Sequence, residues 1–467
     1  MNKKVTQLVF SISFALGLSS TGAFAATAAF PSLSSLGKSL FSDNNLSLTR
    51  TQSCASCHDA EQGFIDIRDN GVAAAVSLGH DGVSLGNRNA PTISYAKFSP
   101  NFTGTNANNA SGGQFWDGRA GNLSKQAEEP PLSANEMGML SKADVIARLQ
   151  ENSEYVAAFE SYFGNTIFDN VDTAYTAMAD SIAAFEESDE VSPFDSKFDR
   201  ALTGDYTLSS SEAEGMGLFF SPRASCVHCH STTMGRGQMG TGRGQNRANF
   251  QARRGGGGRG AGLNPPRGGG RGADLGLAGM RDGTGSAGTG VANSNHLTNI
   301  MARLASSNEV FSNFRYFNNG SPSNNALNIF LQSVGQQNEF LTTGDQGLLN
   351  NPLINGNANS RGRFKVPTLR NIAVTAPYMH NGVFKNLNTV LAFYDHQGGN
   401  QQRVNNPETG VAWQDAEVPE TVTRRRLGMR NSLSDTDINN LECFLRTLTD
   451  QKFELHLPTL TDGRSCS

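Results

Sequence analysis

Apolar positions recur with a helical period at several places in the 467-residue chain. The clearest stripe is Ala174, Met178, Ile182 and Phe185, one face of an amphipathic helix. It ends in the acidic run Glu186-Glu187-Ser188-Asp189-Glu190, followed by Ser192-Pro193. A little further on, Ser209-Ser210-Ser211-Glu212 is a helix-start signal, with a hydroxyl and an acid placed to satisfy the free amides of a first turn. A closing helix is predicted by the capping pair Ser434 and Asp437 and the inner face Ile438, Leu441, Leu445 and Leu448. One pattern occurs twice: Leu36-Gly37-Lys38-Ser39-Leu40-Phe41 and Glu214-Gly215-Met216-Gly217-Leu218-Phe219. Each predicts a helix whose glycine admits a second helix at close range while Leu and Phe point inward. The repeat predicts a mostly α protein of two similar domains, 26–205 and 206–467, divided near 190–208.

Two stretches break the pattern. Lys3 and Lys4, the apolar run Leu8 to Leu18 and Ala23-Phe24-Ala25 together read as a secretory signal peptide over residues 1–25. The apolar run is too short for a membrane span, and no later one follows. The expectation is an exported, soluble protein, periplasmic in a bacterium. Residues 235–290 are rich in glycine, carry arginines from Arg236 to Arg271, and hold no acid before Asp274. Such a composition cannot bury enough apolar surface to offset chain entropy, so a disordered surface insertion is expected. With net charge -4 and 37% hydrophobic residues, the chain has no global basic field, and nucleic acid is not an expected partner.

The six cysteines then change the picture. Four fall in Cys54-Ala55-Ser56-Cys57-His58 and Cys226-Val227-His228-Cys229-His230. C-x-x-C-H is the attachment signature of c-type haem: each thiol forms a thioether to a porphyrin vinyl group, and the following His meets the iron. The alternative is one structural zinc site pooling the four cysteines. Cys443 and Cys466 remain. In an oxidising compartment they are a candidate disulfide; the other reading is a buried helix thiol and a free tail thiol.

Further landmarks stand in order: Arg88-Asn89-Ala90-Pro91-Thr92, Gln114-Phe115-Trp116-Asp117-Gly118-Arg119, Glu136-Met137, and Phe364-Lys365-Val366-Pro367-Thr368-Leu369-Arg370-Asn371 leading to Pro377-Tyr378-Met379-His380-Asn381-Gly382. With the two haem motifs, these resemble the bacterial di-haem cytochrome c peroxidase family, which includes MauG. The resemblance implies two cytochrome-c-like haem domains packed face to face, with hydrogen peroxide meeting the N-terminal haem and the C-terminal haem relaying electrons. The electron donor would be a small cytochrome, a cupredoxin, or a protein or organic substrate. A homodimer is the candidate assembly.

Site residues follow from the same resemblance. Gln126 and Glu136, with Pro130 between them, match the distal pair that moves a proton during peroxide cleavage. Trp116 matches a residue between the haems that carries an electron or hole; on its own it reads as packing. Asn89, Thr375 and Pro377 match ligands of a calcium ion between the haems. Ser77-Leu78-Gly79-His80 resembles the stretch that gives many members a second, removable His on the peroxidatic iron. The spacing from His80 to Asn89 is one residue longer than that pattern, and a solvated loop histidine is the other reading. Fourteen residues after His380, where the peroxidases carry a Met ligand to the relay haem, stands Tyr394. MauG-like members have Tyr there. Met379 sits within the motif, at a position that packs in the family. The expected function is therefore hydrogen peroxide reduction; the alternatives are MauG-like oxidation of a partner protein's side chain or an organic substrate, and a non-enzymatic di-haem electron carrier.

Overall fold

A computed structural model describes residues 29–68, 70–231, 294–305, 307–336, 343–400, 402–427, 432–460 and 464–467. The expected signal peptide at 1–25 and the Gly/Arg-rich stretch at 235–290 lie outside the described residues. The fold is mostly helical. In the first half run α1 (Leu33–Phe41), α2 (Cys54–Cys57), α3 (Leu123–Ala127), α4 (Lys142–Gln150), α5 (Ser153–Phe163) and α6 (Val171–Glu186). Then come α7 (Lys197–Thr203), α8 (Ser210–Phe219), α9 (Ser294–Leu304), α10 (Asn325–Ser333), α11 (Leu387–Gln397), α12 (Arg424–Leu427) and α13 (Asp435–Arg446). Among the described residues the sheet is a single antiparallel pair, β1 (Tyr316–Phe317) and β2 (Phe364–Lys365), with Tyr316 opposite Lys365 and Phe317 opposite Phe364.

The repeated glycine pattern has the same physical role in both halves. A Cβ on Gly37 would lie 1.8 Å from the Ser181 carbonyl oxygen of α6, and one on Gly215 would lie 1.8 Å from the Asn440 carbonyl oxygen of α13. At both crossings only glycine lets the helix backbones meet. The apolar stripes lie where their period puts them. Ala174, Met178, Ile182 and Phe185 are buried in one hydrophobic cluster with Leu36, Leu40 and Phe41. Ile438, Leu441, Leu445 and Leu448 are buried in a second cluster with Met216 and Phe219. Phe198 on α7 joins the second cluster, while Phe453, near the C-terminus, joins the first. Ser209 with Glu212, and Ser434 with Asp437, form reciprocal capping boxes. Cys443 on α13 is bonded to Cys466, with Cα atoms 5.4 Å apart, and this ties the C-terminal segment to the closing helix.

A buried cation ties α7 to the later chain. Arg370, 1% exposed, makes a forked ion pair with Asp199 on α7 and donates to the Glu309 carbonyl at 2.7 Å. Such a pair holds because the remaining guanidinium donors are also satisfied.

Candidate haem and peroxide site

Each Cys-x-x-Cys-His motif is a short turn that presents its histidine. In the first, α2 is capped by Ser53 and Ser56, and the His58 amide donates to the Cys54 carbonyl at 2.9 Å. In the second, a 3-10 turn (Cys226–His228) does the same, and the His230 amide donates to Cys226 at 2.9 Å. Both imidazoles are oriented alike. His58 Nδ1 lies 3.1 Å from the Phe64 carbonyl, and His230 Nδ1 lies 3.0 Å from the Phe311 carbonyl. A carbonyl only accepts, so Nδ1 carries the proton and Nε2 keeps its lone pair. Burial pushes both rings below the usual histidine range, His230 to about 4, so both are neutral donors at neutral pH. Phe41 lies 6.5 Å from the His58 ring, centre to centre. These features fit a c-type haem at each motif, with Nε2 as the proximal ligand.

The second motif opens into a cavity of ≈ 290 Å³. Cys226, Cys229, His230 and Tyr394 line it, together with Trp116, Asn89, Thr375 and Pro377. The residues expected at the relay haem, the inter-haem Trp and the cation site therefore share one space. Tyr394 lies on α11, which Asn386 precedes. Its hydroxyl accepts from the Asn319 amide at 3.1 Å, and the same amide lies 3.3 Å from Met379 Sδ. Burial pushes the Tyr394 phenol up to about 12.

Trp116 is fixed on both sides. Its Nε1 donates to the Asn89 carbonyl at 2.9 Å, and its own carbonyl accepts from the Lys365 amide at 2.8 Å. The Phe364 ring meets it edge-on at 6.5 Å and stacks on His380 at 3.7 Å. Behind this lies a charge network that the sequence did not announce. Arg88 reaches Asp345 through Nε and Nη2, at 2.6 and 2.7 Å, and Asp117 through Nη1 at 2.7 Å. His380 Nε2 is 2.9 Å from Glu417. Arg88 and Asp117 stand beside residues already singled out, Asn89 and Trp116. Asp345 and Glu417 come from loops with no periodic signal, and nothing in the sequence marks them as partners. Lys365 also faces this space. Its Nζ donates to the Gly113 carbonyl, and burial pushes it down to about 7.

On the side of the first motif, Gln126 sits on α3, which Asn122 caps through the Lys125 amide. The chain then folds back through a 3-10 turn (Pro130–Leu132): Met137 N donates to Pro130 O and Met139 N to Pro131 O, at 3.2 and 2.9 Å. This turn places Glu136 close enough to Cys54 and Cys57 for its carboxyl to act electrostatically on both. Burial pushes Glu136 above the usual carboxylate range, against the opposing pull of Arg119. Arg119 itself is paired with Asp117 and with Glu129 at 2.9 Å. His80 lies against the same turn. Its amide donates to the Glu136 carbonyl at 2.7 Å, and its ring rests on Gly138, where a Cβ would come within 2.2 Å of Nε2. Thr49 and Thr51 hold its carbonyl at 2.7 and 2.9 Å.

The chain is 36% identical to methylamine utilization protein MauG of Paracoccus denitrificans over 434 residues, 93% of this chain and 92% of that protein. The chain belongs to the di-haem cytochrome c peroxidase family. The family profile of that description matches residues 31–207. The cytochrome c551 peroxidase of Pseudomonas aeruginosa is 36% identical over 201 residues, 42% of this chain and 49% of that protein. Among solved structures, the di-haem peroxidase BthA of Burkholderia thailandensis superposes with a TM-score of 0.65 at 24% identity, over 93% of this chain and 90% of that one. The protein is thus a haem peroxidase by family, an oxidoreductase whose family carries two c-type haems. Among the described residues, no helix is long and apolar enough to cross a membrane.

Proposed function

We propose that the protein is a periplasmic enzyme that reduces hydrogen peroxide at the haem held by Cys54, Cys57 and His58, with the haem of Cys226, Cys229 and His230 as its redox partner. The observation that carries the reading is Glu136, a half-buried carboxyl near the first Cys-x-x-Cys pair with a raised affinity for a proton. When bound at this motif, a haem would supply the electrons for O–O cleavage. Glu136 takes the proton from the proximal peroxide oxygen and returns it to the distal one, which leaves as water. Gln126 orients the peroxide, and Trp116 carries charge between the two centres. An electron carrier has no use for a distal acid, so the non-enzymatic reading is the weaker one.

In this reading, domains 26–205 and 206–467 face each other across Trp116, and residues 1–25 direct export. A calcium ion is held by Asn89, Thr375 and Pro377. The Asn89 amide nitrogen donates to Ala75 at 3.2 Å, which leaves its side-chain oxygen for a hard cation. His80 would have to leave Gly138 before it could serve as a removable ligand.

A second reading concerns the source of electrons. Tyr394, at the register of the ligand position, shares the cavity with His230; Met379 lines the same cavity from within its own motif. An anionic oxygen ligand favours the more oxidised iron. That favours MauG-like oxidation of a protein side chain or organic substrate over turnover fed by a small cytochrome or cupredoxin. Stopped-flow spectra of the holoprotein mixed with peroxide, from the ferric and from the half-reduced state, test both readings. Reaction of the ferric form supports the second, reaction only after half-reduction the first, and reaction of neither overturns peroxide reduction.

A further inference from the structure

Trp116 is a poor resting place for an oxidising equivalent. Its indole N–H donates to a peptide carbonyl, which is far too weak a base to take the proton. Three tyrosines line the same cavity: Tyr95, Tyr378 and Tyr394. Tyr378 donates to the Ile372 carbonyl at 3.0 Å, and Tyr394 accepts from Asn319. Among these three, only Tyr95 donates to a carboxylate, Asp450 Oδ1 at 2.5 Å.

Tyr95 is fully buried. Its hydroxyl also accepts from the Phe194 amide at 3.1 Å, and its ring packs edge-on against Phe194 at 4.7 Å. Its backbone is held at φ 62, a conformation that a bulky residue keeps only when its surroundings enforce it. The carboxylate is equally fixed: Asp450 Oδ2 accepts from Asn371 Nδ2 at 2.8 Å, and the Asp450 amide donates back to Asn371 Oδ1 at 2.8 Å. The Arg370 guanidinium lies 5.4 Å above the Tyr95 ring, but its charge is balanced by the forked pair with Asp199.

We infer that Tyr95 is a redox-active residue of the peroxide reaction, oxidised by Trp116 while Asp450 receives its phenolic proton. One electron passes from Tyr95 to the oxidised Trp116, which returns to neutral tryptophan. The O–H bond of Tyr95 breaks, and the proton moves to Asp450 Oδ1. The products are a neutral tyrosyl radical and a neutral carboxylic acid, so charge and electrons balance. The oxidant is one of the two equivalents drawn from peroxide, and the inference therefore rests on the peroxide reading above. Burial pushes Asp450 up to about 6, which makes it a better base than an exposed aspartate and still leaves it ionised at neutral pH. The charged and titratable groups facing it are Tyr95, Arg370 and Asp195.

The test is freeze-quench electron paramagnetic resonance of the holoprotein after peroxide, with the haem absorbance followed in parallel. A tyrosyl signal is expected in the wild type, narrowed by ring-deuterated tyrosine. It should be lost in Tyr95→Phe, with tryptophanyl signal gained, and it should decline in the wild type as pH falls through about 6. A tyrosyl signal that persists in Tyr95→Phe, or a wild type whose haems react with peroxide without any deuterium-sensitive signal, overturns the assignment. If Tyr95→Phe does not fold, Asp450→Asn replaces it: a tyrosyl yield there equal to the wild type's rules out the carboxylate as the proton acceptor. Haems that peroxide leaves spectrally unchanged overturn the peroxide reading itself, and the inference with it.

Discussion

Arg88→Met removes the cation that joins the two elements around Trp116 while keeping much of the side-chain volume. In the wild type its guanidinium binds Asp345 twice and Asp117 once, at 2.6 to 2.7 Å. Both acids have side chains only 2% exposed. Asp117 keeps Arg119 as a partner at 3.1 Å. Asp345 keeps the neutral Gly347 N–H at 2.8 Å and the longer-range pull of His380. The substitution thus leaves at least one buried carboxylate without a cation, which costs about 3–5 kcal/mol. At about 2–4 °C per kcal/mol for a domain of this class, the holoprotein's melting temperature should fall by roughly 6–20 °C. The pH dependence has a definite sign. Burial raises Asp345, but Arg88, helped by His380 and the Gly347 N–H, more than compensates and holds it below the usual range. A depressed carboxylate stabilises the fold above its unfolded pKa, about 3.9, and loses that contribution as pH falls through the folded value. The gap between variant and wild type should therefore be largest near neutral pH and close in acid. The assay is thermal unfolding followed by circular dichroism at neutral pH and near pH 3. A drop smaller than about 1 kcal/mol at neutral pH, the range of an exposed pair, would refute the claim that this network clamps the Trp116 region.

Two further outcomes are expected. The denatured holoprotein should exceed the mass of its polypeptide by two haems; a single haem, or none, would sink the di-haem reading. Glu136→Gln should keep both haem spectra and slow the reaction with peroxide by about 10²–10⁴-fold, the usual contribution of a positioned proton-transfer group; an unchanged rate would return Glu136 to a structural role.

What the sequence could reveal depended on distance along the chain. Helical stripes and caps are local, so Ala174 to Phe185 and the Ser434–Asp437 box were legible residue by residue. The close approach at Gly37 and Gly215 was legible because it occurs twice. The candidate haem histidines were legible because the attachment signature fixes their spacing to two cysteines. The Tyr95–Asp450 bond joins residues 355 positions apart, and Arg88–Asp345 joins residues 257 apart. Neither spacing repeats, and each acid, read alone, is an ordinary polar residue of a loop. The role of Lys365 was hidden for a different reason. It sits inside a quoted landmark, but its low proton affinity comes from burial, which no local pattern encodes.

Tyr394 is the residue on which the source of electrons turns. It stands at the register of a methionine ligand, on α11, in the cavity that His230 opens into. In the protein alone its phenol is harder to ionise than free tyrosine, because burial disfavours the phenolate. A ferric iron opposite His230 would reverse that balance, since a bound cation favours the anion of its ligand. Ligation would then be coupled to oxidation state, since a ferric centre would favour the phenolate more than a ferrous one. A thioether has no proton to lose and stabilises ferrous iron instead. Tyr394→Met should therefore raise the midpoint potential of one haem by on the order of hundreds of millivolts, within the range axial ligands command. It should also remove the pH dependence that phenol ionisation imposes on that potential. The other haem should keep its spectrum. Met379 is the control, because it shares Asn319 with Tyr394: Met379→Leu should leave both potentials in place. Spectroelectrochemical titration of the three proteins decides the matter. If Tyr394→Met leaves both haems as they were, or if Met379→Leu is the change that moves a potential, Tyr394 is a packing residue. Electrons from a small cytochrome then become the better-supported supply.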